Sequence, residues 1–230
     1  MSPTAEGLPA LEREIARCRA CPRLVEWREA VAAAPRASFR GQTYWGRPIS
    51  GFGDPRARLL IAGLAPAAHG GNRTGRVFTG DRSGDFLFAA LHRAGYANQP
   101  TSVDRSDGLT LRDAFITAAV RCAPPQNRPT PTERDECRPY LVRELQLLTR
   151  VRVAVALGGF AYEALWAALR AAGFELPAPR PSFGHGREVV VGDRLVILGC
   201  YHPSQQNTFT GRLTPTMLDS VLARARAVSA

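Results

Sequence analysis

Short apolar runs, each about the length of a strand, recur along the chain. Four of them are apolar enough to be strands that are buried on both faces: 59–62, a stretch within 111–120, 151–157 and 194–198. A fifth run, 187–191, is separated from the last of these by Gly192-Asp193, which predicts a hairpin.

Helical patterns fill the intervals between the apolar runs. We expect 8–34 to be helical with an interruption at Cys18-x-x-Cys21, and we expect further helices at 83–94, 131–149, 160–172 and 214–228. Thr132 is the expected N-cap of the helix at 131–149. Because strands alternate with helices, the sequence predicts an α/β fold with a mostly parallel sheet and helices on both faces. We expect a single domain over residues 1–230.

A long loop rich in glycine and small residues follows the first strand. It carries His69, Phe78 and Asp81 together with several arginines. Loops at the carboxyl ends of parallel strands are where open α/β sheets bind ligands, and small residues let backbone N–H groups approach a ligand. The loop is therefore a candidate site, although an ordinary surface loop has the same composition.

A second polar segment, His202 to Gly211, follows the fourth strand. We expect His202 to face the same crevice as the first loop, because both segments leave carboxyl ends of strands. Ser204 and Asn207 are neutral groups that suit phosphates and base edges. A lone histidine is more often structural, but its expected position opposite the glycine-rich loop favours a functional role.

Four of the five cysteines form two pairs. Cys18 and Cys21 are close in sequence, and Cys122 and Cys137 flank a proline-rich loop. Four thiolates in two pairs can hold zinc or an iron–sulfur cluster, and four unrelated buried thiols are the alternative. Cys200, at the end of a strand, is most simply a core residue.

The net charge of +10 comes from 30 basic and 20 acidic residues, and all 30 basic side chains are arginine. Such an excess suits a polyanionic partner, although a high-GC genome also favours arginine codons. No apolar stretch is long enough for a membrane span, and the first residues lack the apolar core of a signal peptide. We expect a cytoplasmic, nucleoid-associated protein whose cysteines are reduced or metal-bound.

Two motifs and the cysteine pattern together resemble the iron–sulfur branch of the uracil-DNA glycosylase superfamily. GLAPAAHGGNRTGRVFTGD (63–81) and HPSQQNTFTG (202–211) are similar to the motifs of family 5, the UDGb type. The resemblance implies a three-layer α/β/α sandwich around a four-stranded, mostly parallel sheet, and a monofunctional DNA glycosylase. It also implies a 4Fe-4S cluster on Cys18, Cys21, Cys122 and Cys137. We expect a monomer that acts on double-stranded and single-stranded DNA.

The chain departs from neighbouring branches at two positions. Family 4 has a glutamate where this chain has Leu64, and an asparagine where this chain has Thr117. Uracil recognition must then come from elsewhere, and Asn127 is the nearest candidate. With no acid at the start of the first motif, we expect a dissociative route in which stabilisation of the leaving base outweighs activation of water.

The resemblance and the chemistry of base release suggest roles for the remaining residues. Phe78 is the candidate to stack on a flipped base, and His202 is the candidate donor to the base oxygen that gains charge. Backbone N–H groups from Gly63 through Ala67 to Ala68 are expected to assist. Asp81 or His69 would orient the water, although a helix-terminal charge also explains Asp81. Asn72 and Arg73 are expected to contact phosphates or the opposite strand.

The expected substrates are uracil, hydroxymethyluracil, ethenocytosine and hypoxanthine. Three alternatives remain open: a uracil-restricted enzyme of the family 4 kind, a non-catalytic iron–sulfur protein that binds nucleic acid, and a zinc hydrolase, which needs an open metal position.

Overall fold

The fold is built on one six-stranded sheet, seen in a computed structural model that describes residues 3–229 of the chain. The first two residues and the last residue of the expected domain lie outside this range. The strands run in the order β1-β3-β2-β4-β6-β5 across the sheet. Their bounds are β1 Phe52–Gly53, β2 Leu59–Gly63, β3 Ala114–Ala118, β4 Val153–Leu157, β5 Glu188–Val191 and β6 Leu195–Cys200.

The four strands predicted from the apolar runs form the parallel centre of this sheet. β3, β2, β4 and β6 pair in parallel, and every residue of β2, β3 and β4 is buried, as expected for strands covered on both faces. The predicted count of four omits the two edge strands. β5 pairs antiparallel with β6 through the predicted hairpin, and β1 pairs antiparallel with β3.

Eight α-helices are described, and most of them cover the two faces of the sheet. Leu59 and Ile61 of β2 face one apolar cluster, while Leu60 faces the other, as the alternation of a strand requires. The three-layer α/β/α arrangement is thus confirmed. None of the described helices is long and apolar enough to cross a bilayer. The helices are α1 Pro3–Ile15, α2 Pro22–Ala33, α3 Gly71–Thr74, α4 Arg82–Arg93, α5 Pro131–Leu147, α6 Gly159–Ala171, α7 Gln205–Phe209 and α8 Pro215–Ser229.

The N-cap of α5 is Thr130, so the prediction of Thr132 was wrong. The Thr130 hydroxyl accepts a hydrogen bond from the backbone N–H of Glu133 at 3.2 Å, and the Glu133 carboxylate accepts one from the Thr130 N–H at 2.8 Å. This reciprocal capping box places the N-cap two residues earlier than predicted, whereas the helix begins at Pro131 as predicted. Pro131 occupies the first helical position, where its missing N–H costs nothing.

The first two helices are attached to α5 by ion pairs that span more than a hundred residues of sequence. Arg143 of α5 pairs with Glu14 of α1 at 2.6 Å. Arg23 of α2 makes two hydrogen bonds of 2.7 Å to the carboxylate of Glu133. The amino-terminal helices therefore sit beside the helix that carries Cys137.

Candidate active site

The loops that follow β2 and β6 meet at the carboxyl edge of the sheet. They bring together Phe78 and His202, whose ring centroids are 5.8 Å apart with 33° between the ring planes. The two residues that the sequence predicted to share a crevice are therefore neighbours. A flat ring beside an imidazole is an arrangement that can hold a planar ligand and donate one hydrogen bond to it.

Phe78 is held in place by its backbone and by the glycine beneath it. Its φ angle is +50°, a left-handed conformation that non-glycine residues adopt rarely, and such strain is often found at functional sites. A Cβ atom on Gly63 would lie 2.6 Å from two atoms of the Phe78 ring. Gly63 thus gives the ring room to lie flat across the end of β2, and this contact is what requires a glycine there.

His202 is a neutral imidazole at neutral pH. Burial lowers its pKa to about 4, because the charged form loses its hydration. Asn207 donates a hydrogen bond from Nδ2 to the His202 carbonyl at 2.9 Å, and the Ser204 hydroxyl caps α7 by accepting from the Asn207 N–H at 3.4 Å. Ser204 and Asn207, predicted as ligand contacts, therefore shape the turn that presents His202.

Asp81 is the N-cap of α4. One carboxylate oxygen accepts a hydrogen bond from the Gly84 N–H at 3.0 Å, and the other packs against Gly70 in the loop. Burial is the main reason that the pKa of Asp81 is raised. The helix-terminal role that the sequence allowed is thus observed. The oxygen that faces Gly70 accepts no hydrogen bond from the described residues.

His69 belongs to an aromatic group on the flank of the loop. Its Nδ1 lies 3.0 Å from the Tyr44 hydroxyl, and its ring stacks on Phe39 with centroids 6.3 Å apart. Burial, followed by the charges of Arg36 and Arg73, lowers the pKa of His69. The Tyr44 contact occupies one of its two ring nitrogens.

Arg73 and Asn72 are engaged inside the protein, which corrects their expected role as phosphate contacts. Arg73 donates to the carbonyls of His69 and Gly80 at 2.8 and 2.9 Å and to Gln42 at 2.9 Å. Asn72 is only 1% exposed and donates from Nδ2 to the carbonyl of Arg28 at 3.2 Å. The short helix α3, which the sequence did not reveal, turns both side chains inward.

Ala67 and Ala68 present backbone donors at the start of the first motif. Their N–H groups donate to no acceptor within the described part of the chain, while the Ala67 carbonyl accepts from the N–H groups of Gly70 and Asn72 at 3.2 and 3.0 Å. The fold of the loop is thus fixed through carbonyls. The two N–H groups remain available for an oxygen atom of a ligand.

Asn127 lies in the loop that follows β3, and the start of that loop runs beside the first motif. The chain after β3 continues along the chain after β2, because Ala119 and Val120 donate from their N–H groups to the carbonyls of Gly63 and Leu64 at 2.9 and 3.0 Å. Asn127 itself is exposed, has a φ angle of +56° and makes no side-chain hydrogen bond to the described residues. Its amide is therefore uncommitted.

Two aromatic residues near the site were missed by sequence reasoning. Tyr44 contacts His69 and gave no signal beyond its place in an irregular segment. Phe209, at the end of α7, is 67% exposed, and the guanidinium of Arg82 lies 5.3 Å from its ring centroid. An exposed phenyl ring inside the polar second motif was the available signal.

The thiols of Cys18, Cys21, Cys122 and Cys137 are close enough to affect one another. Burial, with a smaller contribution from neighbouring thiols of the set, raises the pKa of Cys21 to about 11 and that of Cys122 to about 12, although Arg28 acts to lower the pKa of Cys122. Cys122 and Cys137 also belong to a small apolar cluster that touches Ala65 of the first motif. The cysteine set thus adjoins the candidate site.

A buried guanidinium is directed at this cysteine set. Arg28 is 2% exposed, donates from Nη1 to the Cys122 sulfur at 2.8 Å and from Nη2 to the Cys18 carbonyl at 3.1 Å. The nearest carboxylate, on Glu29, is 3.8 Å away. Within residues 3–229, no three His, Cys, Asp or Glu side chains converge closely enough to hold a single metal ion.

Comparison with known proteins agrees with this architecture. The family model of the uracil DNA glycosylase superfamily matches residues 50–226, which is most of the chain and contains both strand-end loops. The chain therefore belongs to the uracil DNA glycosylase superfamily.

Individual relatives place the chain within this superfamily. The type-5 uracil-DNA glycosylase of Mycobacterium tuberculosis is 59% identical over 96% of this chain and 82% of its own length. The type-5 uracil-DNA glycosylase of Thermus thermophilus is 51% identical over 94% of this chain and 96% of its own length. A type-4 uracil-DNA glycosylase of Archaeoglobus fulgidus is 29% identical over 86% of this chain and 82% of its own length. The chain thus groups with the type-5 proteins.

Proposed function

We propose that the protein is a monofunctional DNA glycosylase that releases uracil from DNA by hydrolysis of the N-glycosidic bond. The observation that carries this proposal is the pair of rings, Phe78 and His202, 5.8 Å apart at the meeting point of two strand-end loops. The names of the type-5 relatives, uracil-DNA glycosylases, support the same activity.

The proposed reaction begins with extrusion of the nucleotide, because the glycosidic bond is inaccessible in stacked duplex DNA. Phe78 stacks on the flipped base. Its position over Gly63 fixes the plane in which the base lies. Stacking alone does not identify a base, since every base has a π-face.

Stabilisation of the departing base is assigned to His202 and to the backbone of the first motif. A neutral imidazole, which burial maintains, donates one N–H to the base oxygen that becomes negative as the bond breaks. The N–H groups of Ala67 and Ala68 are candidates for further donation to the base. This arrangement suits a dissociative reaction with an oxocarbenium-like sugar, which needs less activation of water.

The attacking water is assigned to Asp81. One of its oxygens caps α4, and the other, beside Gly70, has no hydrogen-bond partner among the described residues. In Asp81→Asn the cap survives, because asparagine caps helices as well as aspartate does. We expect this variant to bind DNA normally and to lose base release. A near-normal single-turnover rate would remove Asp81 from the mechanism.

Base release from a uracil-containing oligonucleotide, detected by alkaline cleavage at the abasic site, tests the proposal. We expect release by the wild type and a loss of about 10²-fold or more in His202→Ala, where the donor to the leaving base is gone. Cys200→Ala, a change in the core next to the same strand end, is the matched control. A wild-type protein that binds DNA but generates no abasic sites would instead be the non-catalytic alternative.

We also propose that the enzyme accepts hydroxymethyluracil, ethenocytosine and hypoxanthine. The pocket described here is formed by one ring, one imidazole and small residues, and walls of this kind discriminate by only about 1–3 kcal/mol per methylene-sized difference. Asn127, with its uncommitted amide, is the proposed contact to the base edge. A panel of these bases in single-stranded and double-stranded DNA tests the range, and release of uracil alone would favour the family 4 alternative.

We propose that Cys18, Cys21, Cys122 and Cys137 hold a 4Fe-4S cluster. The donor set fits, because thiolates are the ligands of such clusters and the buried cation of Arg28 needs an anionic partner, which its contact with the Cys122 sulfur would supply. The cluster would have a structural role, since hydrolysis transfers no electrons. In this position it would fix the loop that leaves Cys122 towards Asn127.

Metal analysis of the purified protein tests the cluster and separates it from zinc. We expect iron and visible colour in the wild type, and their loss together with thermal stability in Cys122→Ser. Cys200→Ala should keep its iron, because Cys200 lies in the core of the sheet, away from the set. Zinc in place of iron would contradict the proposal, and so would a Cys122→Ser variant that loses iron but keeps its full stability.

A further inference from the structure

A cavity lies beside the turn that carries Cys18, and neither Phe78 nor His202 is among the residues that line it. Its volume is about 430 Å³. We call it the arginine cavity. Its wall includes Arg17, Arg19, Arg28, Glu29, Trp45 and Arg47.

The arginine cavity has a strong excess of positive charge. Its wall has four guanidinium groups and one carboxylate, that of Glu29. Arg19 donates two hydrogen bonds to this carboxylate, the longer of them 3.1 Å. Arg17 and Arg47 form no ion pair within residues 3–229. Arg47 lies 5.6 Å from the ring centroid of Trp45, a contact that limits its conformations.

One buried donor of the cavity wall has no partner. Arg28 uses Nη1 and Nη2 on Cys122 and Cys18, whereas its Nε is buried and forms no hydrogen bond within the described part of the chain. Because this Nε is buried, a ligand in the cavity cannot reach it, and the charge of Arg28 is directed at the Cys122 sulfur. The exposed guanidinium groups of Arg17 and Arg47 are the groups of the wall that can bind a phosphate oxygen.

The wall of the arginine cavity is bonded to the loop that forms the candidate active site. Trp45 donates from its backbone N–H to the Arg73 carbonyl, and Gly46 donates to the Asn72 carbonyl, both at 3.0 Å. The cavity therefore adjoins the loop that we propose to hold the flipped nucleotide. The position fits a backbone phosphate of the same DNA molecule.

We propose that the arginine cavity binds a phosphodiester group of the DNA whose damaged nucleotide occupies the active site, with Arg17 and Arg47 as its exposed contacts. The inference rests on the proposed function, since that function supplies the polyanion. If the proposal holds, the turn that carries Cys18 binds DNA directly, in addition to supporting the loops of the candidate active site.

Salt dependence of binding to undamaged duplex DNA, measured by fluorescence anisotropy, tests this inference. Each phosphate contact that is lost decreases the magnitude of the negative slope of log K against log salt concentration by about 0.9. Because Arg17 and Arg47 are proposed to contact one phosphodiester group, we expect the magnitude to decrease by about 1 in the double variant Arg17→Ala with Arg47→Ala, and by less in each single variant.

The matched control is the double variant Arg150→Ala with Arg170→Ala. Both arginines are exposed; Arg150 precedes β4 and Arg170 lies in the last turn of α6, at the opposite edge of the sheet. The two double variants change the net charge equally. Equal slopes for both would overturn the inference, provided that their melting temperatures match the wild type.

The same measurement separates this inference from the proposed activity. Binding to undamaged DNA needs no chemistry, so a wild-type protein without base release but with the predicted slopes would refute only the proposed function. Base release together with unchanged slopes in the Arg17 and Arg47 variants would refute only the cavity.

Discussion

Gly63→Ala offers a sharp test of the proposed base pocket, because it moves one ring without touching a polar group. The new Cβ would lie 2.6 Å from two atoms of the Phe78 ring, whereas ordinary contacts begin at 3.4 Å, so the ring must shift by roughly 1 Å. The backbone of Phe78 gives little way, because its φ angle of +50° is already strained and its carbonyl packs tightly against Gly84.

The size of the effect follows from this displacement. A misplacement of about 1 Å at a reacting group can lower a rate by about 10²-fold. Overpacking of this kind costs about 1–3 kcal/mol of stability, and each kcal/mol lowers the melting temperature of a chain of this size by about 2–4 °C. Affinity for undamaged DNA should stay within about twofold, since no phosphate contact changes.

The assay is single-turnover release of uracil from a duplex oligonucleotide with enzyme in excess, alongside thermal unfolding and DNA binding. Gly159→Ala is the matched control, because its Cβ would meet Phe183 at an ordinary 3.9 Å. A second variant, Gly63→Ala with Phe78→Leu, removes the clash between the new Cβ and the ring. We expect it to recover thermal stability but not the rate of uracil release, because the stacking ring is absent. If Gly63→Ala alone releases uracil at the wild-type rate, Phe78 does not form the wall of the base pocket.

Three further predictions follow from groups near the site. Burial lowers the pKa of His202 from its ordinary value of 6.5 to about 4 in the folded protein. Between pH 6.5 and pH 4 the imidazole is therefore protonated in the unfolded chain but not in the folded protein. Stability should therefore be complete above pH 6.5 and fall by about 3 kcal/mol on acidification to pH 4, a loss that pH-dependent unfolding should find reduced in His202→Gln. Glu144→Ala should lower stability by about 3–5 kcal/mol in denaturant unfolding, because it leaves the buried Arg121 without the carboxylate that binds it at 2.6 and 2.9 Å; a loss under 1 kcal/mol would contradict this. Phe209→Ala should slow uracil release from duplex DNA by about tenfold but leave release from single-stranded DNA unchanged, because an exposed apolar ring inserted between bases helps only where bases must be unstacked. Equal slowing on both substrates would refute insertion of Phe209 between stacked bases.

The parallel centre of the fold was predictable because its strands are apolar on both faces. Strand β2, for example, is buried at every residue, and burial on both faces leaves a continuous apolar run in the sequence. Strand β1 has only two residues, Phe52 and Gly53, and carries no such pattern. The N-cap of α5 was misplaced although its signal was present, since Thr130 and Glu133 have the spacing of a capping box.

The candidate site was predictable at its strand ends and less so within its loops. His202 lies just after β6 and Phe78 lies in the loop that follows β2, so the topology of the sheet brings both segments to one edge. Arg73 and Asn72 looked like phosphate contacts because charged and amide groups in a loop usually face solvent. Their inward hydrogen bonds depend on a one-turn helix and on segments 30 to 44 residues away in sequence, which no local pattern reveals.

The attachment of the first two helices to α5 has a consequence for biosynthesis. Glu14 meets Arg143, and Arg23 meets Glu133, so the partners of the earliest helices are synthesised more than a hundred residues later. A growing chain that has not yet released α5 from the ribosome carries α1 and α2 without the surface on which they dock. Completion of the amino-terminal part of the molecule is thereby deferred until more than half of the polypeptide has been translated.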